Sequence, residues 1–290
     1  MRKSLIVGAL GAAALVLTGL HPAGAVPTGT GPVGATAPEI ARGAAHGEFS
    51  FPMQAGHDVS VHTATIKPGA VVDWGAGSDI VIVKSGTLTN YPSCAAKEAW
   101  EAGGAYFRAT MPDGAQLAKN ESDGPVELVV ISSDAVPAAA AAHAHGSSAA
   151  TGCPTGDAAQ LVSTGAGPAY SNGDLTQGAG EQIAVEIFTI QPGYTSNWHQ
   201  HPGANLVVQT KGTLENWQDC KTKEVWTPGN TYFHAPGHHG NHPNLTNNKS
   251  DQPAELIAIL MNVPADHPAG VTPLTPVPPP ADCPDSALTY

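Results

Sequence analysis

The stretch "NYPSCAAKEAWEAGGAYF" (Asn90–Phe107) recurs 126 residues later as "NWQDCKTKEVWTPGNTYF" (Asn216–Phe233), without a gap. Asn, Cys, Lys, Glu, Trp, Gly, Tyr and Phe recur in place. Agreement of this kind at a fixed spacing indicates an internal duplication. The chain therefore contains two copies of one structural unit.

The match extends in both directions. Upstream, "TATIKPGAVVDW" ending at Trp74 matches "IFTIQPGYTSNW" ending at Trp198, at an offset of 124. The first unit is therefore two residues shorter between this Trp and the shared "GTL". Downstream, "DGPVELVVI" matches "DQPAELIAI". The prediction is a first unit at 26–135, an Ala/His-rich linker with a Cys-Pro segment at 136–155, and a second unit at 156–290.

The first 25 residues have the pattern of a secretory signal peptide. Arg2 and Lys3 form a positive start, an apolar run reaches Leu20, and "AGA" ends at Ala25. A retained membrane anchor is the alternative, but the run is rich in Gly and Ala and shorter than the roughly 20 apolar residues that a span needs. The sequence therefore predicts a signal peptide at 1–25 and a secreted, extracellular protein.

The composition favours β structure and excludes two classes of partner. The chain has 33 Gly and 26 Pro, and only 12% of its residues are charged. With 12 Lys+Arg against 24 Asp+Glu, the net charge is −12. An acidic chain is a poor ligand for nucleic acid and for anionic membranes. We therefore expect neither as a partner.

The sequence of each unit predicts short strands separated by Gly/Pro turns. "DVSVHTATI", "DIVIVK" and "VELVVI" in the first unit correspond to "QIAVEIFTI", "ANLVVQTK" and "AELIAIL" in the second. β-Branched residues dominate these runs, and no long helix is indicated. The prediction is an all-β chain with two tandem antiparallel β-sandwich or jelly-roll barrels.

Four cysteines suggest disulfides in an exported chain, and four cysteines allow three pairings. Cys94 and Cys220 are equivalent in the repeat, and so are Cys153 and Cys283, each followed by Pro. Symmetry favours Cys94–Cys153 and Cys220–Cys283, one in each unit. A zinc site built from them is the alternative, which the absence of any CxxC pair disfavours.

Histidines cluster in the second unit. His199 and His201 alternate along "WHQH", so on a strand both side chains would project from the same face. Two imidazoles on one face are suited to one metal ion. A third ligand should come from a neighbouring strand, and "YFHAPGHHGNHPNLTNN" supplies His234, His238, His239 and His242 as candidates.

At these residues the chain resembles the cupin superfamily. His199, His201 and Gly212 are in register with its first motif, an HxH pair followed by a Glu and a Gly. Gly229 and His242, with Pro236 between them and Asn247 or Asn248 as a closing Asn, fit the second motif approximately. The duplication resembles a bicupin, and "HPGANLVVQTKGTL" resembles small secreted bacterial cupins of the HxHPG type. The resemblance spans both units.

The resemblance implies one divalent transition metal per chain, bound by His199, His201 and His242, with Asn205, His239 and His234 as further candidates. Asn205 stands where many cupins have a metal-binding Glu, which weakens binding of hard ions. A site made mostly of imidazole suits Zn, Fe, Ni, Cu or Mn better than Mg or Ca. A vestigial histidine cluster without metal is the alternative.

The first unit has no histidine at the corresponding positions. It has Gly75 and Gly77 where the second has its histidine pair, Asp79 near the Asn205 position, and Gln116 as the nearest polar residue around the second motif. We expect this unit to hold no metal. Its expected role is structural: intramolecular pairing of the two units, sheet on sheet.

The chemistry beyond metal binding stays open at this point. A binding module for a metal and a small molecule, a metal-dependent dioxygenase, isomerase or lyase, and a structural exoprotein are the three hypotheses. Glu186 is the best candidate for a catalytic carboxylate, because its strand leads into the histidine loop. The usual exposure of Glu favours a solvent-facing position for it instead. Trp198 either packs in the core or lines the pocket.

Overall fold

A computed structural model describes residues 35–75, 77–109, 116–133, 153–218, 220, 222–234, 243–280 and 283. Within these ranges the regular structure consists of strands, and no helix is long and apolar enough to cross a membrane. The predicted all-β fold is confirmed. The predicted signal peptide at 1–25 and residues 136–152 of the predicted linker lie outside the described residues.

The strands follow the duplicated sequence. In the first unit they are β1 (Ala35–Thr36), β2 (Glu39–Ala45), β3 (Phe49–Met53), β4 (Asp58–Ile66), β5 (Val71–Asp73), β6 (Ser78–Ser85), β7 (Thr87–Ser93), β8 (Ala96–Glu101), β9 (Gly104–Arg108), β10 (Leu117–Lys119) and β11 (Val126–Ser133). In the second unit they are β12 (Val162–Pro168), β13 (Gly173–Gln177), β14 (Gln182–Ile190), β15 (His199–Gln200), β16 (Asn205–Lys211), β17 (Leu214–Gln218), β18 (Thr222–Trp226), β19 (Asn230–His234), β20 (Asn244–Asn247), β21 (Ala254–Val263) and β22 (Thr275–Pro276).

Each unit forms a barrel with two walls. In the first barrel one wall contains β4, β11, β6 and β9, and the other runs in the order β5-β10-β7-β8. In the second barrel the walls are β14-β21-β16-β19 and β18-β17-β20-β15-β22. The pairing within these walls is antiparallel, as in a jelly roll.

The two units exchange their early strands. β2 of the first unit pairs with β14 of the second, and β12 of the second unit pairs with β4 of the first. β3 pairs with β13, its own equivalent in the repeat. β2 also pairs in parallel with β9, so one 11-stranded sheet runs through both barrels. Each barrel is therefore completed by a strand from the other unit.

Several strands are buried on both faces, which explains their continuous apolar sequence. On β6, Val81 and Val83 point into the first barrel, whereas Ile80 and Ile82 point away from it. The latter join a core shared by both units, which includes Leu206 and its neighbours on β14, β16 and β21. Alternate residues of one strand thus serve two different cores.

The repeated "GTL" marks a turn that only Gly fits. Gly212 has a φ of 66°, and a Cβ placed there would approach Ala254 Cα at 2.8 Å. Gly86 has a φ of 79° at the equivalent position of the first barrel. Both backbones are left-handed and crowded, so a side chain is strained at each.

Both disulfides favoured by the repeat are present, Cys94–Cys153 and Cys220–Cys283. The second lies beside an aromatic cluster in which Trp198, Trp217 and Leu245 pack together. The amide of Val277 in the C-terminal segment donates to the Trp198 carbonyl oxygen. The disulfide thus holds that segment against the strand that carries the histidines.

Candidate functional site

The interior of the second barrel contains a small cavity of about 70 Å³. Aliphatic and aromatic side chains of β14, β16 and β21 form most of its wall. Its polar wall contains His199 and His201 from the segment around β15, Asn205 from the start of β16, His234 from the end of β19, and Asn244 from β20. The fold thus brings three imidazoles and two side-chain amides from four strands to one space.

His199 is held in one orientation. Its Nδ1 lies 2.8 Å from the Asn197 carbonyl oxygen, which can only accept, so Nδ1 carries the proton and donates. Nε2 of the neutral ring then presents a bare lone pair. The ring meets that of His201 edge-on, with centroids 5.0 Å apart. An imidazole fixed through one nitrogen is ready to bind a metal through the other.

Asn205 and His234 are cross-strand partners on β16 and β19. Asn205 Nδ2 lies 3.3 Å from His201 Nε2, and Asn216 Nδ2 lies 3.2 Å from His234 Nε2. Three buried atoms remain without a hydrogen-bond partner: Nδ1 of His201, Nδ1 of His234 and Oδ1 of Asn205. Buried polar atoms are normally satisfied, so these three indicate capacity to bind something else.

Burial keeps the three imidazoles neutral. It lowers the pKa of His199 and lowers that of His201 well below its usual value, with the neighbouring His199 and His234 lowering it further. Burial, again with His199 nearby, lowers the pKa of His234 to about 3. Neutral imidazole is the form that binds metals.

The third predicted ligand, His242, lies outside the described residues, and so does the alternative His239. The structure places another polar side chain, that of Asn244, in the cavity wall. Gln116 of the first unit corresponds to Asn244, 128 residues later. Asn244 is the cross-strand partner of His199 and lines the cavity. Extending the downstream "DGPVELVVI" match toward the N-terminus would have identified it from the sequence.

The expectation of a solvent-facing Glu186 is wrong. Its exposed fraction is 0%, because its cross-strand partner is the cavity-lining Ala258 and both face the barrel interior. Thr272 Oγ1 donates to Glu186 Oε2, and burial raises the pKa of the carboxyl. Glu186 does not line the cavity, so its catalytic role stays a prediction.

Trp198 packs against Trp217 and Leu245 beside the Cys220–Cys283 disulfide, with 2% of its surface exposed. The residues that line the cavity do not include it. Of the two alternatives for Trp198, the structure thus shows packing in the core and not lining of the pocket. His199, its neighbour in sequence, points to the opposite side of the strand and into the barrel.

Among the described residues, no group of three or more His, Cys, Asp and Glu side chains is arranged to hold a metal ion. The donors that share the cavity are histidines together with Asn205 and Asn244. The imidazoles of His199 and His201 and the amide oxygens of Asn205 and Asn244 form a mixed donor set. Such a set suits a borderline transition metal better than it suits Mg²⁺ or Ca²⁺.

No family model matches the chain, and no curated protein matches it. Similar solved structures include a cupin-like protein from Thermotoga maritima, at 18% identity and a TM-score of 0.28, covering 34% of this chain and 68% of that one. A Cupin 2 conserved barrel domain protein from Leptotrichia buccalis has 12% identity, a TM-score of 0.29, and coverage of 74% and 88%.

The DMSP lyase DddQ from Ruegeria pomeroyi has 19% identity and a TM-score of 0.27, with 34% of this chain covered. The chain spans only 45% of that lyase. TM-scores this low do not support an inference about activity. The chain's own strand order gives it two tandem antiparallel β barrels of the jelly-roll type.

Proposed function

We propose that the second barrel binds one divalent transition-metal ion through His199 and His201, with Asn205 and Asn244 as oxygen donors. The observation that supports this most directly is the orientation of His199, whose Nδ1 is fixed by the Asn197 carbonyl. The unpartnered Oδ1 of Asn205 is a further donor atom in the same cavity wall. Zn, Fe, Ni, Cu or Mn suits this donor set.

The size of the cavity limits what else it holds. A water molecule needs roughly 10–15 Å³ of such volume, so about 70 Å³ holds an ion and a few waters. Pockets for drug-sized organic molecules begin near about 300 Å³. We infer that the other ligands on the metal are water or a molecule of only a few atoms.

When bound, the ion would supply Lewis-acid polarisation of a coordinated oxygen. The chain's own contribution is to exclude bulk water and to present neutral imidazoles. Apolar side chains of β14, β16 and β21, among them Phe188, Val207 and Leu260, form the dry part of the wall. Such a wall strengthens electrostatic interactions at the ion, because the local dielectric is low.

We also propose that the protein works outside the cytosol. Two disulfides occur among the described residues, and each closes a long loop, of 59 residues in the first unit and 63 in the second. Disulfides persist in oxidising compartments and are rare where thiols are kept reduced. The signal-peptide pattern at 1–25 is consistent with this proposal.

Metal content tests the proposal. The purified chain is stripped with a chelator and titrated with Co²⁺, and the ligand-field bands are followed together with the bound metal per chain. We expect close to one ion per chain in the wild type and loss of the bands in His199→Ala and in His201→Ala. His57→Ala, in the first unit, is the matched control and should bind like the wild type. Equal binding by all four proteins would refute the site.

A further inference from the structure

The first barrel contains the larger cavity of the two, although it lacks the histidines. Its volume is about 330 Å³, against about 70 Å³ in the second barrel. Asn90, Trp100 and Gln116 form part of its wall, and all three are buried. A space of this size is at the lower end of pockets that hold small organic molecules. The barrel without the histidine pair thus has room for a ligand that the second barrel cannot enclose.

A buried ion pair occupies the positions that Asn205 and His234 have in the second barrel. Asp79 and Arg108 are cross-strand partners 126 residues before Asn205 and His234. Arg108 Nε donates to Asp79 Oδ2 at 2.7 Å, and both side chains are almost fully buried.

The guanidinium also donates to the backbone carbonyls of Trp74, Gly75 and Gly77, the segment that replaces the histidine pair. Arg108 is thus a cation fixed in the protein, and Asp79 balances its charge. The pair leaves no net positive charge that would attract an anion into the cavity.

Asn90 presents an acceptor that lacks its internal partner. In the second barrel the equivalent Asn216 Oδ1 accepts a hydrogen bond from Thr246 Oγ1 at 3.0 Å. The residue that corresponds to Thr246 in the first barrel is Ala118, which cannot donate one. Asn90 Oδ1 is accordingly buried and without a partner, and Asn90 is only 3% exposed.

The orientation of that amide follows from its other end. Asn90 Nδ2 faces Glu98 Oε2 at 3.5 Å, and a carboxylate can only accept. The amide oxygen therefore points away from Glu98, and what it requires is a donor. This unpartnered acceptor in the cavity wall therefore favours a ligand that donates from an N–H or O–H group.

The rim of the cavity is acidic and its wall is aromatic. Glu48 and Glu98 are exposed carboxylates at the opening, beside the exposed imidazole of His46. Trp100 and Tyr106, whose rings stack with centroids 5.0 Å apart, contribute aromatic surface inside it. Since the Asp79–Arg108 pair is neutral overall, the two glutamates set the sign of the charge near the opening. Carboxylates next to aromatic rings are the surroundings that favour organic cations.

We propose that the first barrel is a binding site for a small organic amine. The protonated nitrogen donates to Asn90 Oδ1 and lies near the Glu98 carboxylate, and the apolar body packs against Trp100 and Tyr106. The site does not depend on a metal in the second barrel. The duplication has therefore produced two sites with different ligands, an ion in one barrel and an organic cation in the other.

Calorimetric titration of the chelator-treated full chain with benzylamine tests this, at low ionic strength because salt screens exposed charges. We expect one benzylamine per chain, and binding at least tenfold weaker for benzyl alcohol, benzoate and glucose. Glu98→Gln should weaken benzylamine binding about five- to tenfold. Glu224→Gln changes the equivalent residue of the second barrel and should leave the affinity unchanged.

Since Glu98 is exposed, Glu98→Gln is not expected to perturb folding, and circular dichroism verifies this. The proposal is overturned if benzylamine does not bind, or if benzyl alcohol, benzoate or glucose binds as tightly. It is also overturned if Glu98→Gln and Glu224→Gln have equal effects.

Discussion

Asn248 makes in the second barrel the same hydrogen bonds that Asn120 makes in the first. Nδ2 of Asn248 donates to the carbonyl oxygens of Ile190 and Gln252, at 2.9 Å each. Nδ2 of Asn120 donates to the equivalent carbonyls of the first barrel in the same way. Both side chains are fully buried. Of the two candidates Asn247 and Asn248, Asn248 is therefore the one whose side chain has the structural role of Asn120.

Asn248→Asp should destabilise the protein strongly. The substitution replaces a donor with a carboxylate oxygen that faces two carbonyl oxygens, and the cost of such a buried mismatch is roughly 2–5 kcal/mol. Urea unfolding measures the change. Asn172→Asp is the matched control, because Asn172 is exposed and uses its oxygen to accept from the Ala55 amide, as Asp also can. Equal stability of the two variants would contradict the role of Asn248.

Asn244→His should convert the second barrel into a three-histidine site. Asn244 is the cross-strand partner of His199, so the new imidazole would enter the same cavity. We expect Zn²⁺ affinity to increase by on the order of tenfold or more, since imidazole is the better ligand for this ion. Competition with a chelating indicator measures it.

Gln116→His is the matched control for this gain. Gln116 holds the equivalent position, but the first barrel has Gly75 where the second has His199. A lone imidazole there should add no strong zinc binding. If Gln116→His raised the affinity as much as Asn244→His, the position alone would not explain the gain, and cooperation with His199 and His201 would be disproved.

The repeat and the apolar runs predict the two units and most of their strands, but they do not predict how the strands of the two units pair. The block from Asn90 to Phe107 predicted the duplication, and the apolar runs predicted the strands, because a strand buried on both faces must be apolar throughout. The exchange of β2 and β12 was not predicted. "EIARGAA" carries too little apolar pattern to indicate which sheet it joins.

The two cavities depend on longer-range geometry. Asp79 was recognised at the Asn205 position, but its ion pair with Arg108 requires the register of β6 against β9. Cavity volume depends on how side chains pack, and residue identities do not determine it. The sequence therefore led to the histidine pair and left the first barrel without an assigned ligand.

Glu186→Gln should stabilise the protein near neutral pH. Burial raises the pKa of this carboxyl above its ordinary value of 4.5, so the folded state holds the proton more tightly than the unfolded state does. Stability therefore falls as pH rises from about 4.5 through the raised pKa, and the full penalty is present above it. Gln keeps an acceptor for Thr272 Oγ1 and removes the charge.

Thermal unfolding as a function of pH measures this difference. We expect Glu186→Gln to raise the Tm by a few degrees at pH 7–8 and to approach the wild type near pH 4, on the usual relation between stability and Tm for a chain of this size. Glu101→Gln, an exposed change of the same kind, should show no such pH dependence. A stabilisation that persists unchanged to pH 4 would show that the charge of Glu186 is not its cause.

Loss of the Cys220–Cys283 disulfide should loosen the histidine strand, and loss of Cys94–Cys153 should not. β22 pairs with β15 at His199, and the Val277 amide donates to the Trp198 carbonyl, so the C-terminal segment borders the site. By the loop-closure estimate each disulfide contributes roughly 4 kcal/mol to stability, which sets the expected loss in both double Cys→Ser variants. Hydrogen exchange distinguishes them, because the amides of β15 and β20 should lose protection only when Cys220–Cys283 is removed. Equal protection of these strands in both variants would show that the second disulfide supports the barrel as a whole and has no particular effect on the metal site.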